Sequence, residues 1–267
     1  MADQYISVLL QGGHANRIFM IGAAMHIGKL TNRKFVVVES LVHQNVHIKD
    51  SCEAFKTFIN KFPKCSNPKY RTYTEKAYCE PLQLAVSAIN TMNEKLIVLI
   101  GYFQTFESLH DDLKSVLVES FKETIPQTLE GHDYFIHVRR GDYIGMKLLD
   151  LKFDFSSREG YYGKALALFE SLSKKNPLVI SDDPAWCKKQ KLFEGMKILE
   201  KGSAMQALFE MSKCSGAICA NSTMSYVGAW LQNSKEVVIM PKTWFADQGA
   251  QRQLEKGMFW PPWVTHL

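Results

Sequence analysis

Short, largely apolar segments alternate with helix-like segments through the second half of the chain, and this alternation constrains the fold more than any other feature. Residues 134–138, 178–180 and 217–219 have the length and composition of buried strands. Between them, apolar residues recur at the three- and four-residue spacing of one helix face. Strands that alternate with helices favour a parallel sheet covered on both faces. We therefore predict an α/β fold.

The chain opens with the same pattern. Residues 5–10 are predicted to form a strand, residues 11–16 a loop, and a helix is predicted to begin at Arg17. A second strand follows at 35–38. Residues 40–94 show no clean period, and we expect short helices and loops there. The remaining predicted elements are strands at 96–100, 197–199 and 236–240, and helices over 106–122, 162–172, 184 onward, 205–212 and 224–231.

A break in this pattern predicts two domains. Ile125 and Pro126, followed by Gly131, interrupt the alternation, so we place a boundary after residue 125. The segments 1–125 and 126–267 are each expected to be Rossmann-like. Such sheets bind ligands beyond the carboxyl ends of their strands, so the two halves are predicted to face a central cleft.

Composition excludes several other classes of protein. The formal net charge of +5 is mild, and no Lys/Arg-rich block indicates nucleic-acid binding. No apolar run approaches the roughly 18 residues of a membrane span, and no basic segment precedes the first apolar run. We expect a cytoplasmic protein without stable membrane insertion. None of the six cysteines has CxxC spacing, which favours free thiols over a zinc ribbon.

The segment 136–143 is the most informative polar cluster, because a predicted strand runs directly into Arg139, Arg140 and Asp142. The planar guanidinium group matches phosphate geometry, so two arginines at a strand end could bind a diphosphate and stabilise it as a leaving group. Two alternatives stay open at this point. Arg140 and Asp142 could form a structural ion pair beside a core His137, or residues 140–142 could be a cell-attachment tripeptide.

A second cluster, Ser181, Asp182 and Asp183, also follows a predicted strand. A carboxylate there could accept from the N–H groups of guanine or from a ribose hydroxyl. Alternatively, one aspartate caps the helix that begins at Pro184. Paired carboxylates can also bind a metal ion, but adjacent residues point in different directions and the chain contains no Asp-x-Asp motif. We therefore expect no metal site.

Two further loops have candidate anion-binding geometry. Residues 221–223 precede a predicted helix, whose N-terminal N–H groups either bind phosphate or are simply capped by the small hydroxyl residues there. The Gly12-Gly13 loop precedes the helix predicted at Arg17 and allows close approach of the backbone to a ligand. Residues 101–104 follow another strand, and their aromatic side chains serve either packing or the same cleft.

Together these segments resemble glycosyltransferase family 11, which contains the α-1,2-fucosyltransferases. The family motifs occur in order along nearly the whole chain, and the most specific is His-x-Arg-Arg-Gly-Asp-Tyr. The matching residues are Gly12, Gly13 and Asn16; 101–104; 137–143; 181–183; 221–225 with 228–231; and 241–245.

This resemblance implies a GT-B fold and an inverting enzyme that transfers L-fucose from GDP-fucose to a glycan hydroxyl, α-1,2 to a galactoside-like sugar. It implies no metal and no other cofactor. Residues 1–125 would then form the acceptor side, and residues 126–267 would bind the GDP-sugar. Where the family usually has Leu-Gly-Asn-Gln, this chain has residues 14–17 as His-Ala-Asn-Arg. That departure leaves open a different GDP-deoxyhexose or an inactive binding protein.

The resemblance also implies roles for individual residues. Arg139, Arg140 and Asp142 are the predicted catalytic residues. Predicted donor-binding residues are Gly12, Gly13, Asn16, Arg17, His137, Ser181, Asp182, Asp183, Asn221, Ser222 and Thr223. Predicted acceptor-side residues are His14, Tyr102, Gln104 and Tyr143. Candidates for a general base are Asp142, His14 and Glu107, among which the sequence does not decide.

Overall fold

The computed structural model describes residues 3–42, 52–66, 69–126 and 131–267. The chain divides into two compact units. The N-terminal unit is Met1–Pro126 with Arg252–Pro261, and the C-terminal unit is Gln127–Gln251 with Pro262–Leu267. A single boundary after residue 125 therefore omits the return of residues 252–261 to the N-terminal unit. The composition of the sequence does not change at residues 252–261, so it does not indicate that they belong to the N-terminal unit. The acceptor and donor roles of the two halves stay predictions.

The described part of the N-terminal unit contains a parallel sheet of strand order β2-β1-β6-β5 and a smaller β3-β4 pair. Its strands are β1 (Tyr5–Val8), β2 (Lys34–Phe35), β3 (Val37–Val38), β4 (Lys64–Cys65), β5 (Arg71–Thr74) and β6 (Leu96–Ile100). Its helices are α1 (His14–Leu30), α2 (Glu53–Asn60), α3 (Leu82–Ile89) and α4 (Asp111–Thr124). The continuously apolar β6 lies inside this sheet between β1 and β5, as its composition indicates.

The first helix begins earlier than predicted. Helix α1 starts at His14, because Gly13 has the extended backbone of an N-cap and its carbonyl accepts the N–H of Arg17 at 3.1 Å. The predicted loop over 11–16 is thus wrong for its last three residues. Midway along α1, Gly22 lies against the backbone of Ser108, where a Cβ atom would sit 1.9 Å from the carbonyl oxygen.

Two other predictions in this unit also need correction. The helix expected over 106–122 is a 3₁₀ turn at Phe106–Ser108 followed by α4, because His110 caps α4 by accepting the N–H of Leu113 at 3.4 Å. Residues 40–94, where short helices and loops are expected, also contain β5, an edge strand of the sheet. Only Tyr73 of this strand is buried, so it lacks the alternation that marks most half-buried strands.

The C-terminal unit follows the predicted alternation closely. Its described strands form one parallel sheet of order β12-β11-β10-β7-β8-β9. They are β7 (Tyr134–Val138), β8 (Pro177–Ser181), β9 (Lys197–Ile198), β10 (Gly216–Ile218), β11 (Val237–Met240) and β12 (Thr265–His266). The helices are α5 (Tyr161–Ser171), α6 (Pro184–Cys187), α7 (Ala204–Ser212) and α8 (Thr223–Leu231). A further helix, α9 (Gln248–Lys256), begins in this unit and ends in the N-terminal unit, which includes residues from Arg252 onward.

Aromatic packing supports the middle of this sheet. Tyr134 of β7 stacks on Phe169 of α5 with ring centroids 4.1 Å apart, and Tyr162 donates a 2.9 Å hydrogen bond to the carbonyl of His137. These contacts fix α5 against the strand that carries the two arginines. All six cysteines are free thiols, and no helix in the described ranges has both the length and the apolar character of a membrane span.

Candidate functional site

Three polar loops meet at one edge of the C-terminal sheet. Strand β7 lies between β8 and β10, with Val138 paired to Ser181 and Ile136 paired to Ile218. Because all three strands are parallel, their carboxyl ends lie at the same edge. The structure thus brings together residues 139–143, 181–183 and 221–223, as the sequence pattern indicates.

Arg139 is held by two carboxylates. Its Nη2 lies 2.5 Å from Oδ1 of Asp142, and its Nη1 lies 3.0 Å from Oδ2 of Asp182. The guanidinium also lies 5.1 Å from the ring centre of Tyr143. Its Nε is buried without a hydrogen-bond partner among the described residues. The side chain is therefore fixed in orientation, and the two ion pairs use two of the five N–H donors of the guanidinium.

Arg140 is fixed by a different set of contacts. Its Nε donates to Oδ2 of Asp183 at 3.2 Å, and its backbone N–H donates to Oδ1 of Asp182 at 2.9 Å. The guanidinium stacks 3.7 Å above the ring centre of Trp186. The ion pair considered between Arg140 and Asp142 is wrong, because Asp142 pairs with Arg139 instead.

The two adjacent aspartates have separate tasks. Asp183 caps α6, since its Oδ1 accepts the N–H of Trp186 at 3.0 Å. Asp182 packs beneath Gly141, where a Cβ atom would lie 2.4 Å from its Oδ2. Both carboxylates also contact an arginine, so they orient the cationic groups of the site. Contact of either aspartate with a nucleoside stays a prediction.

His137 is buried within β7, with 4% of its surface exposed. Burial, together with the positive charge of Arg139, lowers the pKa of His137 to about 3, so the ring is neutral near pH 7. Its Nδ1 is buried and has no hydrogen-bond partner among the described residues. The predicted contact of this ring with the donor nucleoside is untested.

The loop after β10 is partly structural. Asn221 is buried, and its amide nitrogen donates to the carbonyls of Leu149 at 2.8 Å and Trp244 at 2.9 Å. Ser222 is the N-cap of α8 and accepts the N–H of Met224 at 3.3 Å. The capping alternative is thus realised for Ser222. Binding of a donor by Ser222 and Thr223 stays a prediction.

A cavity of about 230 Å³ lies beside the arginines. Its wall includes aromatic residues that the motif analysis did not identify. Phe155 contacts Trp186 edge-to-face at 4.9 Å, and Trp186 in turn supports Arg140. The alternation of aromatic residues at positions 153 and 155 is the sequence signal that could have indicated this aromatic wall. The lining residues are Arg139, Arg140, Tyr143, Ile144, Leu149, Asp150, Leu151, Lys152, Phe153, Phe155, Trp186 and Asn221.

A second polar cluster lies in the N-terminal unit, where β1 and β6 are neighbours. Gln104 donates from Nε2 to Oδ1 of Asn16 at 2.9 Å. Arg17 is buried and donates from Nε to the carbonyl of Gly12 at 3.1 Å; burial lowers the pKa of this guanidinium. Gly12 has φ of +71°, and a Cβ atom there would lie 2.7 Å from Nδ2 of Asn16 and 3.3 Å from the Tyr102 ring.

The three candidates for a general base have different surroundings. Asp142 is ion-paired with Arg139. His14 is buried, and its ring meets that of Phe55 edge-to-face at 4.6 Å. Glu107 has one carboxylate oxygen buried without a described hydrogen-bond partner. The sequence did not single out Glu75, which accepts hydrogen bonds from the turn at 101–104. Within the described ranges, no three His, Cys, Asp or Glu side chains group closely enough to bind a metal ion.

Comparison with known proteins identifies the class. The fold is of the GT-B type, as in the crystal structure of fucosyltransferase NodZ from Bradyrhizobium, with a TM-score of 0.51, 10% identity, and coverage of 86% of this chain and 94% of that one. At that identity the similarity shows the fold alone. Residues 55–266 match the model of glycosyl transferase family 11, and the chain belongs to that family of glycosyltransferases.

Two Escherichia coli proteins are similar over most of the chain. The O-antigen biosynthesis glycosyltransferase WbnK is 25% identical, over 89% of this chain and 94% of its own. An alpha-1,2-colitosyltransferase is 31% identical, over 70% of this chain and 67% of its own.

Proposed function

We propose that this glycosyltransferase transfers L-fucose from GDP-fucose to a hydroxyl of a glycan, with inversion at the anomeric carbon and without a metal ion. The observation that carries the proposal is the pair of oriented guanidinium groups, Arg139 and Arg140, beside the cavity at the end of β7. The α-1,2 linkage to a galactoside-like acceptor is supported by the family resemblance and by the name of the colitosyltransferase relative.

The arrangement suits a nucleoside diphosphate in three respects. Guanidinium groups supply paired, directed N–H donors that match phosphate oxygens. The aromatic wall formed by Phe155 and Trp186 offers an apolar surface for the planar parts of a nucleotide. The N-terminus of α8, at Thr223, adds backbone N–H groups and the positive end of the helix dipole at the same edge of the sheet.

In the proposed reaction, the acceptor hydroxyl attacks the anomeric carbon from the face opposite the diphosphate. The bond from that carbon to the diphosphate oxygen breaks, and its electron pair leaves with GDP. The proton of the acceptor hydroxyl passes to a base or to solvent water. Negative charge grows on the leaving GDP, and Arg139 and Arg140 stabilise it in the role that a metal ion has in other transferases. The carboxylates of Asp182 and Asp183 hold the two guanidinium groups in place beforehand.

One finding supports an alternative donor sugar. The relative at 31% identity is named as a colitosyltransferase, so a 3,6-dideoxyhexose is an alternative to fucose. The departure from the usual family sequence at residues 14–17 supports the same alternative. Fucose and colitose would both be carried on GDP. The role proposed for the cavity beside the arginines concerns the GDP alone, so it does not distinguish the two sugars.

Donor turnover tests the proposal directly. We expect GDP release from GDP-fucose or GDP-colitose in the presence of lactose or of water, with no release of UDP from UDP-galactose. Activity is expected to persist in EDTA, and the product should show an anomeric configuration opposite to that of the donor by NMR. Loss of activity in EDTA would contradict the metal-free mechanism. GDP binding without turnover of any GDP-sugar would favour an inactive homologue.

A further inference from the structure

Glu75 lies at the end of β5, next to the turn formed by residues 101–104. The pairing of β5 with β6 continues one residue beyond the strand, since the N–H of Glu75 donates to the carbonyl of Ile100 at 2.8 Å. This register places the Glu75 side chain against Gly101. A Cβ atom on Gly101 would lie 2.5 Å from Cβ and 2.6 Å from Oε2 of Glu75, so only glycine fits there.

The Glu75 carboxylate holds two successive backbone groups of this turn. Its Oε2 accepts the N–H of Tyr102 at 2.8 Å and the N–H of Phe103 at 3.0 Å. The turn needs such support, because Gly101 has φ of +150° and Phe103 has φ of +47°, a conformation that costs energy for a bulky residue. Hydrogen bonds from backbone N–H to a carboxylate are stronger than neutral ones and can offset that cost.

The held turn leads directly to Gln104, which is buried and bonded at both ends of its amide. Its Nε2 donates to Oδ1 of Asn16, and its Oε1 accepts from the hydroxyl of Tyr78. The orientation of the Asn16 amide therefore depends on Gln104, and the place of Gln104 depends on the turn. Asn16, in the first turn of α1, belongs to the Gly-Gly-x-x-Asn motif that the family resemblance places near the donor sugar.

We propose that Glu75 is a positioning residue for sugar transfer, whose carboxylate holds the 101–104 turn in the conformation in which Gln104 orients Asn16. This inference rests on the proposed function, because the role of Asn16 does. Glu75 acts through the turn, since its second oxygen, Oε1, is buried without a described partner and is out of reach of a substrate. Burial and the nearby charge of Glu80 raise the pKa of Glu75, while the backbone N–H groups of Phe103, Tyr102 and Cys79 oppose that shift.

The isosteric variant separates positioning from proton transfer. In Glu75→Gln the side-chain oxygen can still accept both N–H groups, whereas the charge and basicity are lost. Glu75→Ala leaves both N–H groups without their acceptor. Glu80→Ala is a matched control, because Glu80 is a buried glutamate that accepts the backbone N–H groups of Lys76 and Ala77 and the hydroxyl of Tyr73, outside the turn.

The test measures hydrolysis of GDP-fucose, binding of GDP, and amide hydrogen exchange of the segment 101–104. We expect Glu75→Ala to lower kcat about 10- to 100-fold, as small misplacements of reacting groups do, with the Kd for GDP nearly unchanged and exchange faster at 102 and 103. Glu75→Gln should retain kcat within about threefold of wild type, because one accepting oxygen is enough for both N–H groups. Glu80→Ala should leave exchange of the turn unchanged.

Three results would overturn the inference: unchanged kcat in Glu75→Ala, a loss in Glu75→Gln as large as in Glu75→Ala, or an equal loss of kcat in Glu80→Ala. If the wild-type protein releases GDP from neither GDP-fucose nor GDP-colitose, with lactose or with water, the proposed function fails on its own. Exchange then decides whether Glu75 holds the turn, and unchanged exchange in Glu75→Ala means that it does not.

Discussion

Replacing Arg139 or Arg140 by alanine is expected to lower the rate of sugar transfer by about 10²–10³, the usual loss when one group that stabilises a leaving charge is removed. Three aspartates surround the two arginines, so the cluster carries no net positive charge. A diphosphate must therefore be bound by the directed N–H donors and not by a general positive field. Initial rates of GDP release at saturating GDP-fucose measure the effect.

Lysine variants test the directional part of this argument. Arg140→Lys keeps the charge but loses the planar fork and the stacking on Trp186, so we expect most of the loss seen in Arg140→Ala. Arg158→Ala is the control, because Arg158 is an exposed arginine of the same unit that pairs with Glu170 at 2.7 Å, away from the three loops. Near-full turnover by Arg139→Ala and Arg140→Ala would show that these residues do not stabilise the leaving group.

Acidification is expected to destabilise the protein through His137. The pKa of this buried ring is lowered to about 3, whereas a histidine in the unfolded chain titrates near 6.5. The unfolded state therefore takes up a proton first, and the stability present above pH 6.5 is lost progressively as the pH falls toward 3. By linkage, the loss attributable to His137 is roughly 3 kcal/mol at pH 4.5.

The variant His137→Gln isolates this contribution from that of the acidic residues. Urea unfolding of both proteins between pH 7.5 and 4.5 gives two curves of unfolding free energy against pH. We expect the unfolding free energy of the wild type to fall by roughly 3 kcal/mol more than that of the variant over this pH range, even if the variant is less stable at every pH. Parallel curves would mean that His137 is protonated equally in the folded and unfolded states, which its burial without a partner for Nδ1 argues against.

Much of the C-terminal fold could be predicted because its strands β7, β8, β10 and β11 are largely buried on both faces and its helices have clear apolar faces. Strand β5 could not, because its single buried side chain, Tyr73, leaves no pattern to detect. The start of α1 at His14 was missed because Gly13 caps the helix through its backbone alone. The return of residues 252–261 to the N-terminal unit depends on tertiary contacts that no local signal reports.

The site shows the same division between local and long-range information. Parallel order alone places Arg139, Asp182 and Ser222 at one edge, so sequence motifs at strand ends predict their grouping. The ion-pair partners were not predictable, and the structure pairs Asp142 with Arg139 instead of with Arg140. Trp186 and Glu75 belong to none of the family motifs. Their contacts depend on how α6 and β5 pack, and spacing along the chain does not encode that.

The central claim is that the arginine cluster of the C-terminal unit binds the diphosphate of a guanine nucleotide without a metal ion. Calorimetric titration of GDP, GDP-fucose, GDP-mannose and UDP into the protein in EDTA, with Arg139→Ala beside it, tests this most directly. We predict that the guanine nucleotides bind, that UDP does not, and that binding is lost or greatly weakened in the variant. No binding of any GDP compound, or equal binding by Arg139→Ala, would contradict the donor assignment.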